Sequence, residues 1–421
     1  MNIALSSDIH VELIAVGSEL TRGTTMDVNS PYLAGRFLSI GLEVKKISVV
    51  GDNETSLAEV LEEAKTKKGF IIVSGGLGPT FDDITKKVAA RVLGRSLVLN
   101  QKVLDKMKER LVKRGVQHTA AHEVQAIFPL KSEPIPNLRG TAWGFYIRYE
   151  SAHFFFLPGV PLEVTGMVEE GVLHIINREF NLLPAPSRRL FKVFGLKETE
   201  VEGRIKEVLE KDAGVRFAIR VNFPEIHLEI SARNGLGIDG HEIMAEYSNT
   251  IEESLSPYIV ARDDETIESV VGRNLRDKTL TLFAAESCTG GLLGHRITAV
   301  AGSSKYFAGD IVAYSNSVKE KTLGVSSVTL KRFGAVSRET AIEMAKGARH
   351  LGGTDIGLAI TGVAGPEGGT KEKPVGTVYI ALFDGVRVRS ERFRFFGNRE
   401  AIKILSSQWA LEMLRRYLIE S

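Results

Sequence analysis

Apolar and polar positions along the chain switch repeatedly between a period near two and a period near 3.6, and each switch marks the end of one element and the start of the next. The apolar run from Val11 to Leu20 predicts a buried strand that breaks at Gly17. Helical spacing follows over 31–40, with Ser30 as N-cap and Gly41 as stop, and then a strand over 43–50. A helix over 56–66 leads into the apolar run Gly69-Phe-Ile-Ile-Val-Ser74. This βαβ alternation predicts an α/β domain built on a parallel sheet, with ligands expected beyond the strand C-termini.

The pattern changes after residue 170. A helix over 198–210, strands over 215–221 and 226–231, a turn over 233–240 and a helix over 242–255 read as a small α+β connector. Arg216, Arg220 and His227 could meet phosphates there, but alternation along exposed strands is the simpler account. From 261 the α/β rhythm returns, with a helix over 266–276, strands over 281–286, 307–314, 355–361 and 376–383, and a helix over 292–299. Ser315, Asn316 and Ser317 are cap candidates for a further helix that carries Lys319. The expected domains are therefore 1–170, 171–260 and 261–421, in keeping with 421 residues being too many for one ordinary core.

Composition narrows the function classes. Lys and Arg number 54 against 52 Asp and Glu, a formal charge of +2 that gives no reason to expect nucleic acid as the partner. A single cysteine, Cys288, excludes an internal disulfide, and no long apolar run suggests a membrane span. The expectation is a cytoplasmic protein that acts on small molecules.

The chemistry concentrates in three glycine-rich turns. The first, Gly75-Gly-Leu-Gly-Pro-Thr80 followed by Asp82 and Asp83, offers Gly75, Gly76 and Gly78 as a phosphate cradle and the aspartates as divalent-ion ligands or helix caps. No Gly-Lys-Ser or Gly-Lys-Thr follows, so the loop is not that of an ATPase. The second, Thr281-Leu-Phe-Ala-Ala-Glu-Ser-Cys-Thr-Gly-Gly291, brings Ser287, Cys288 and Thr289 to the end of a strand. Gly290 and Gly291 behind them leave amides open to an oxygen or phosphate. The third runs from Thr361 through Gly362, Gly365 and Pro366 to Thr370. A serine nucleophile needs a base. His295 and His350 read as packing or helix-end residues, whereas Lys319, near a helix N-terminus and partly buried, would have a lowered pKa. Tyr314 lies five residues earlier at a strand end.

Two sets of motifs bear a resemblance. Ala15-Val-Gly-Ser-Glu-Leu20, Val50-Gly-Asp-Asn-Glu-Thr55, Ser74-Gly-Gly-Leu-Gly-Pro-Thr-Phe-Asp-Asp83 and Leu157-Pro-Gly-Val-Pro161 resemble the molybdopterin-binding-like domain that begins CinA-family proteins. Some members hydrolyse ADP-ribose with a metal ion, which implies Asp82 or Asp83 as metal-associated and Gly75, Gly76 and Gly78 as the phosphate cradle. The match departs from the family pattern at Thr21-Arg22, Trp143 and Val160 and in 121–126, so a pyrophosphatase and a non-catalytic nucleotide- or pterin-binding scaffold both stand as roles for this domain.

Ala285-Glu-Ser-Cys-Thr-Gly-Gly291, Ala301-Gly-Ser-Ser304, Val312-Ala-Tyr-Ser-Asn316 with Lys319, Gly334-Ala-Val-Ser337, Ile360-Thr-Gly-Val-Ala-Gly-Pro366 and Lys373-Pro-Val-Gly-Thr-Val378 resemble the CinA C-terminal domain. That resemblance implies a deamidase of nicotinamide mononucleotide (NMN) that needs no metal or cofactor. It implies Ser287 as nucleophile, Lys319 and Tyr314 in proton transfer, and Thr289, Gly290, Gly291, Thr361, Gly362 and Gly365 at the substrate. A connector that mediates packing or homodimer formation is implied as well. Strand alternation adds that Ser287 and Cys288 point to opposite sides.

Overall fold

The computed structural model describes residues 3–4, 9–113, 115, 117, 119–181, 187–210, 215–232 and 239–420, and the chain divides into two compact units, Met1–Pro186 and Ser187–Ser421. Most of the turn expected over 233–240 lies outside the described residues. Among the described residues no helix is long and apolar enough to cross a membrane.

The first unit is built on a six-stranded sheet in the order Lys46–Val50, His10–Val16, Gly69–Ser74, Ala152–Leu157, Gly144–Tyr149, Glu133–Ile135. Its first four strands are parallel and its last two pair antiparallel. Because Gly69–Ser74 is buried along its whole length, it can be apolar at every position. Ile71 and Val73 enter one core with Phe154 and Phe156, while Phe70 and Ile72 enter the other with Phe155 and Leu157. Helix Asn29–Leu38 starts ahead of the expected N-cap, with Ser30 inside it. Helix Glu54–Ala64 is capped by Asn53, whose side chain accepts the amides of Thr55 and Ser56.

The second unit opens with a four-stranded antiparallel sheet, Val215–Asn222, Glu225–Ala232, Arg188–Val193, Ile259–Arg262, of which the third and fourth strands are not evident in the sequence pattern. Helices Glu198–Arg204 and Asp239–Leu255 cover it around Phe191, Leu228, Ile230 and Ile251. A five-stranded sheet follows, in the order Phe307–Val312, Leu282–Glu286, Ile356–Gly362, Thr377–Phe383, Val388–Arg394. The first three strands are parallel, and the last two return antiparallel.

The two faces of this sheet carry different cores. Ala284, Cys288, Leu358 and Ile360 face the side covered by helices Ile267–Asp277, Leu292–Thr298 and Arg399–Glu420. Ala285, Ala313, Leu323, Ala359 and Ala381 pack against helix Arg338–Gly352. Small residues on this second face let that helix lie close. Gly347 carries the closest approach, since a Cβ there would stand 1.9 Å from the carbonyl oxygen of Leu323, just after the helix Asn316–Lys321. Backbone cannot yield as a flexible side chain can, so we expect Gly347→Ala to lower stability by about 1–3 kcal/mol despite alanine's better helix propensity. Thermal and urea unfolding measure this, and an unchanged or raised midpoint contradicts the packing described.

Candidate active site

The strand Leu282–Glu286 delivers Ser287 to a turn that closes with Gly290 and Gly291, both at positive φ, before helix Leu292–Thr298 begins. Alternation continues past the strand end. Cys288 joins the core with Ala284, and Ser287 faces the opposite side, where helix Asn316–Lys321 supplies Lys319. Ser315 caps that helix by accepting the Val318 amide. Lys319 is 1% exposed, and its Nζ stands 3.0 Å from Ser287 Oγ, 2.5 Å from the Ala313 carbonyl oxygen and 3.4 Å from that of Tyr314.

Among the described residues no carboxylate pairs with Lys319. Burial without a counter-charge disfavours the ammonium, and it brings the Lys319 pKa down to about 8. The same burial acts in the opposite sense on the neighbouring thiol. Cys288 is pushed up to about 12, so it is a thiol at neutral pH and packs as a small apolar side chain. Of the two strong nucleophile candidates, Ser287 alone has a base beside it.

Other expected residues take different places. The Tyr314 side chain is 61% exposed, and it is the carbonyl of Tyr314 that meets Lys319. Its hydroxyl accepts from Arg399, which also donates to the Gly365 carbonyl. Arg399 thus ties the third glycine loop to the strand end beside Lys319. It sits at the start of a helix that the motif reading did not single out, and only the fold brings it near. Thr361 Oγ1 donates to the Ala335 carbonyl at 2.7 Å and is fully buried, as is Thr289, whose hydroxyl has no hydrogen-bond partner. Gly362 sits where Thr377, Val378 and Cys288 converge, and a Cβ would come within 2.7 Å of Val378.

The expectation that Gly290 and Gly291 offer free amides is corrected. The Gly290 amide donates to the Ser287 carbonyl and the Gly291 amide to Glu286 Oε2, so the turn uses both to hold its own shape. Glu286 Oε1 also accepts the Gly294 amide at 2.8 Å. Glu286 is fully buried, and its carboxyl meets that of Asp310 on the neighbouring strand.

In the first unit the glycines answer to close packing. A Cβ at Gly75 would stand 2.0 Å from the Val16 carbonyl oxygen, and one at Gly76 would stand 2.3 Å from Thr85 Oγ1. The Gly75 amide donates to the Leu157 carbonyl. Helix Thr85–Val92 has no side-chain cap, so the capping expected of Asp82 or Asp83 is not found. Asp83 instead accepts the amides of Gly78 and Thr80, and Asp82 accepts the Thr80 hydroxyl. Among the described residues no group of three or more His, Cys, Asp or Glu converges that could hold a metal ion, and Asp82 and Asp83 are engaged with the loop's own amides and hydroxyl. Lys86 is buried beside this loop, donates to the Gln125 carbonyl and has its pKa lowered by burial to about 8.

A family model described as CinA C-terminal domain matches residues 264–418, one described as probable molybdopterin binding domain matches 12–178, and one described as damage-inducible protein CinA KH domain matches 188–261. The CinA-like protein of Geotalea uraniireducens is 41% identical over 415 residues, 97% of this chain and 97% of its own length. That of Geobacter sulfurreducens is 41% identical over 409 residues, covering 97% and 99%. A solved structure, competence/damage inducible protein CihA from Agrobacterium tumefaciens, is 41% identical, with 36% of this chain and 95% of that chain covered and a TM-score of 0.35.

The burial of Cys288 has a direct consequence. In the folded protein at neutral pH the thiol should resist iodoacetamide, and it should react readily once the protein is denatured. Mass spectrometry of the alkylated protein checks this, and rapid labelling in the native state contradicts the placement.

Proposed function

The chain belongs to the CinA-like protein family, with a molybdopterin-binding-like α/β domain at its N-terminus, and on that premise we propose that its C-terminal domain is an amidohydrolase converting NMN to nicotinate mononucleotide and ammonia. The observation that carries this reading is the 3.0 Å approach of a buried, carboxylate-free Lys319 to Ser287. A neutral amine has two N–H donors and one lone pair. The carbonyls of Ala313 and Tyr314 accept from the donors, which leaves the lone pair for the Ser287 hydroxyl proton.

Ser287 Oγ forms a bond to the carboxamide carbon as its proton passes to Lys319. The developing oxyanion is assigned to the amides that follow the nucleophile, those of Cys288 and Thr289, since those of Gly290 and Gly291 are engaged within the turn. The C–N bond then breaks, and the proton held by Lys319 goes to the leaving group to give ammonia. Water adds to the acyl-enzyme with Lys319 as base, the Ser287 C–O bond breaks, and the proton returns to Ser287. Arg399, exposed at the mouth between Tyr314 and the Gly365 loop, supplies a cation for the substrate phosphate. The exposed Tyr314 ring then has a binding rather than a proton-transfer role. The first domain serves as a scaffold in this reading, since its glycine loop and Asp83 are engaged with each other.

Ser287→Ala and Lys319→Ala should each lower kcat for ammonia release by roughly a thousandfold or more, and Cys288→Ala should leave turnover near that of the parent protein. Lys319→Arg should not restore activity, because a guanidinium stays protonated. Loss of turnover in Cys288→Ala with retention in Ser287→Ala overturns the assignment.

The Lys319 pKa is lowered, so the amine gains its free base as pH rises toward about 8, and kcat should climb over the same range. A pH–rate profile of NMN hydrolysis measures it. A rate already flat well below that value contradicts the lysine as base.

A further inference from the structure

Glu286, fully buried, and Asp310, half-buried on the neighbouring strand, form an acid pair next to the nucleophile turn. In the parallel register Asp310 lies opposite Ala284 and Glu286 opposite Val312, which puts the two carboxyls diagonally on one sheet face, toward helix Leu292–Thr298. That helix comes close because Gly294 has no side chain: a Cβ there would stand 2.7 Å from Asp310 Oδ2. Glu286 accepts the amides of Gly291 and Gly294 at 3.1 and 2.8 Å, so the arrangement of the turn depends on where that carboxylate sits. Asp310 Oδ1 is buried with no partner, and Asp310 lines a cavity of about 420 Å³ with Gly291, His295, Ser303 and Ser304.

Two contacting carboxyls cannot both ionise there without an uncompensated buried charge. Among the described residues no Lys or Arg forms an ion pair with either. The titratable groups facing them are His295, which lines the same cavity, and Cys288, whose thiol feels Glu286; Arg296, on the same helix, is engaged with Glu268, Ser407 and Gln408. Burial first, and then the hydrogen bond and charge of Glu286, push Asp310 up to about 8.

We infer that Asp310 is a positioning residue: it keeps the proton of the pair, donates it to Glu286, and so holds that carboxylate on the Gly291 and Gly294 amides that fix the turn carrying Ser287. Asparagine reproduces the donor without the charge, and alanine removes it. The activity part of the test rests on the amidohydrolase reading, whereas amide exchange of the turn does not.

The experiment compares the full-length protein with Asp310→Asn and Asp310→Ala by hydrogen exchange of the peptide containing Gly291 and Gly294, and by NMN turnover against pH. Asp310→Asn should keep both the amide protection and kcat near pH 7. Asp310→Ala should lose protection in that peptide and lower kcat about 10- to 100-fold with little change in KM, as expected for a displaced nucleophile. The parent protein should lose protection and rate on the alkaline side of about pH 8 as Asp310 ionises, and Asp310→Asn should not. If the parent turns over no NMN yet the exchange pattern holds, the inference stands and the substrate reading falls. Should Asp310→Ala fail to fold, the alkaline difference between parent and Asp310→Asn decides alone. Equal protection in all three proteins, or the same alkaline behaviour in parent and Asp310→Asn, overturns the inference.

Discussion

An amine buried without a counter-charge is the constraint on which the proposed chemistry depends. Lys319 is 1% exposed, and its nearest polar neighbours are two carbonyl oxygens and the Ser287 hydroxyl. A carboxylate in that position would have kept the ammonium and removed the base. The fold maintains the site by packing: the helix bearing Lys319 is capped by Ser315, and the segment after it is held close under helix Arg338–Gly352 by the missing side chain of Gly347. One desolvation thus links the small-residue face of the sheet to the reactivity proposed for Ser287. Cys288, one position along, shows the converse effect, since burial keeps the intrinsically better nucleophile protonated.

The first two glycine-rich turns show how similar sequence signatures can mean different things. Both follow buried parallel strands, and in both the glycines lie where a side chain would strike backbone or a neighbouring group, or where φ is positive. In the first unit the loop closes on itself through Asp83, which accepts the Gly78 and Thr80 amides, and among the described residues the aspartates belong to no group of three or more ligand-type side chains. In the second unit Glu286 closes the turn in much the same way, but leaves Ser287 outside the closure and beside Lys319. What distinguishes the two loops is that the second, once its amides are satisfied, presents the Ser287 hydroxyl to a buried amine.

Much of this was legible in the sequence. Strand periodicity located the elements around Ser287, Lys319 and Thr361, and alternation alone separated Ser287 from Cys288. The rest depended on neighbours distant in sequence. Asp310 meets Glu286 only because the parallel register, with its shift between Leu282 and Phe283, sets them diagonally. Arg399 reaches Tyr314 and Gly365 from a helix that begins after an antiparallel strand, Val388–Arg394, whose partly polar face hid it from the pattern. Amide directions at Gly290 and Gly291 could not be read either, because a glycine pair permits several turns and the hydrogen bonds of Glu286 select one.

In the proposed reaction Ser287 becomes covalently attached to the substrate. Rapid mixing of the full-length protein with NMN, acid quench before steady state and peptide mass spectrometry tests it most directly. A nicotinate mononucleotide ester is expected on the peptide containing Ser287, localised to that side chain. An adduct on Cys288 in a protein that turns over NMN contradicts it.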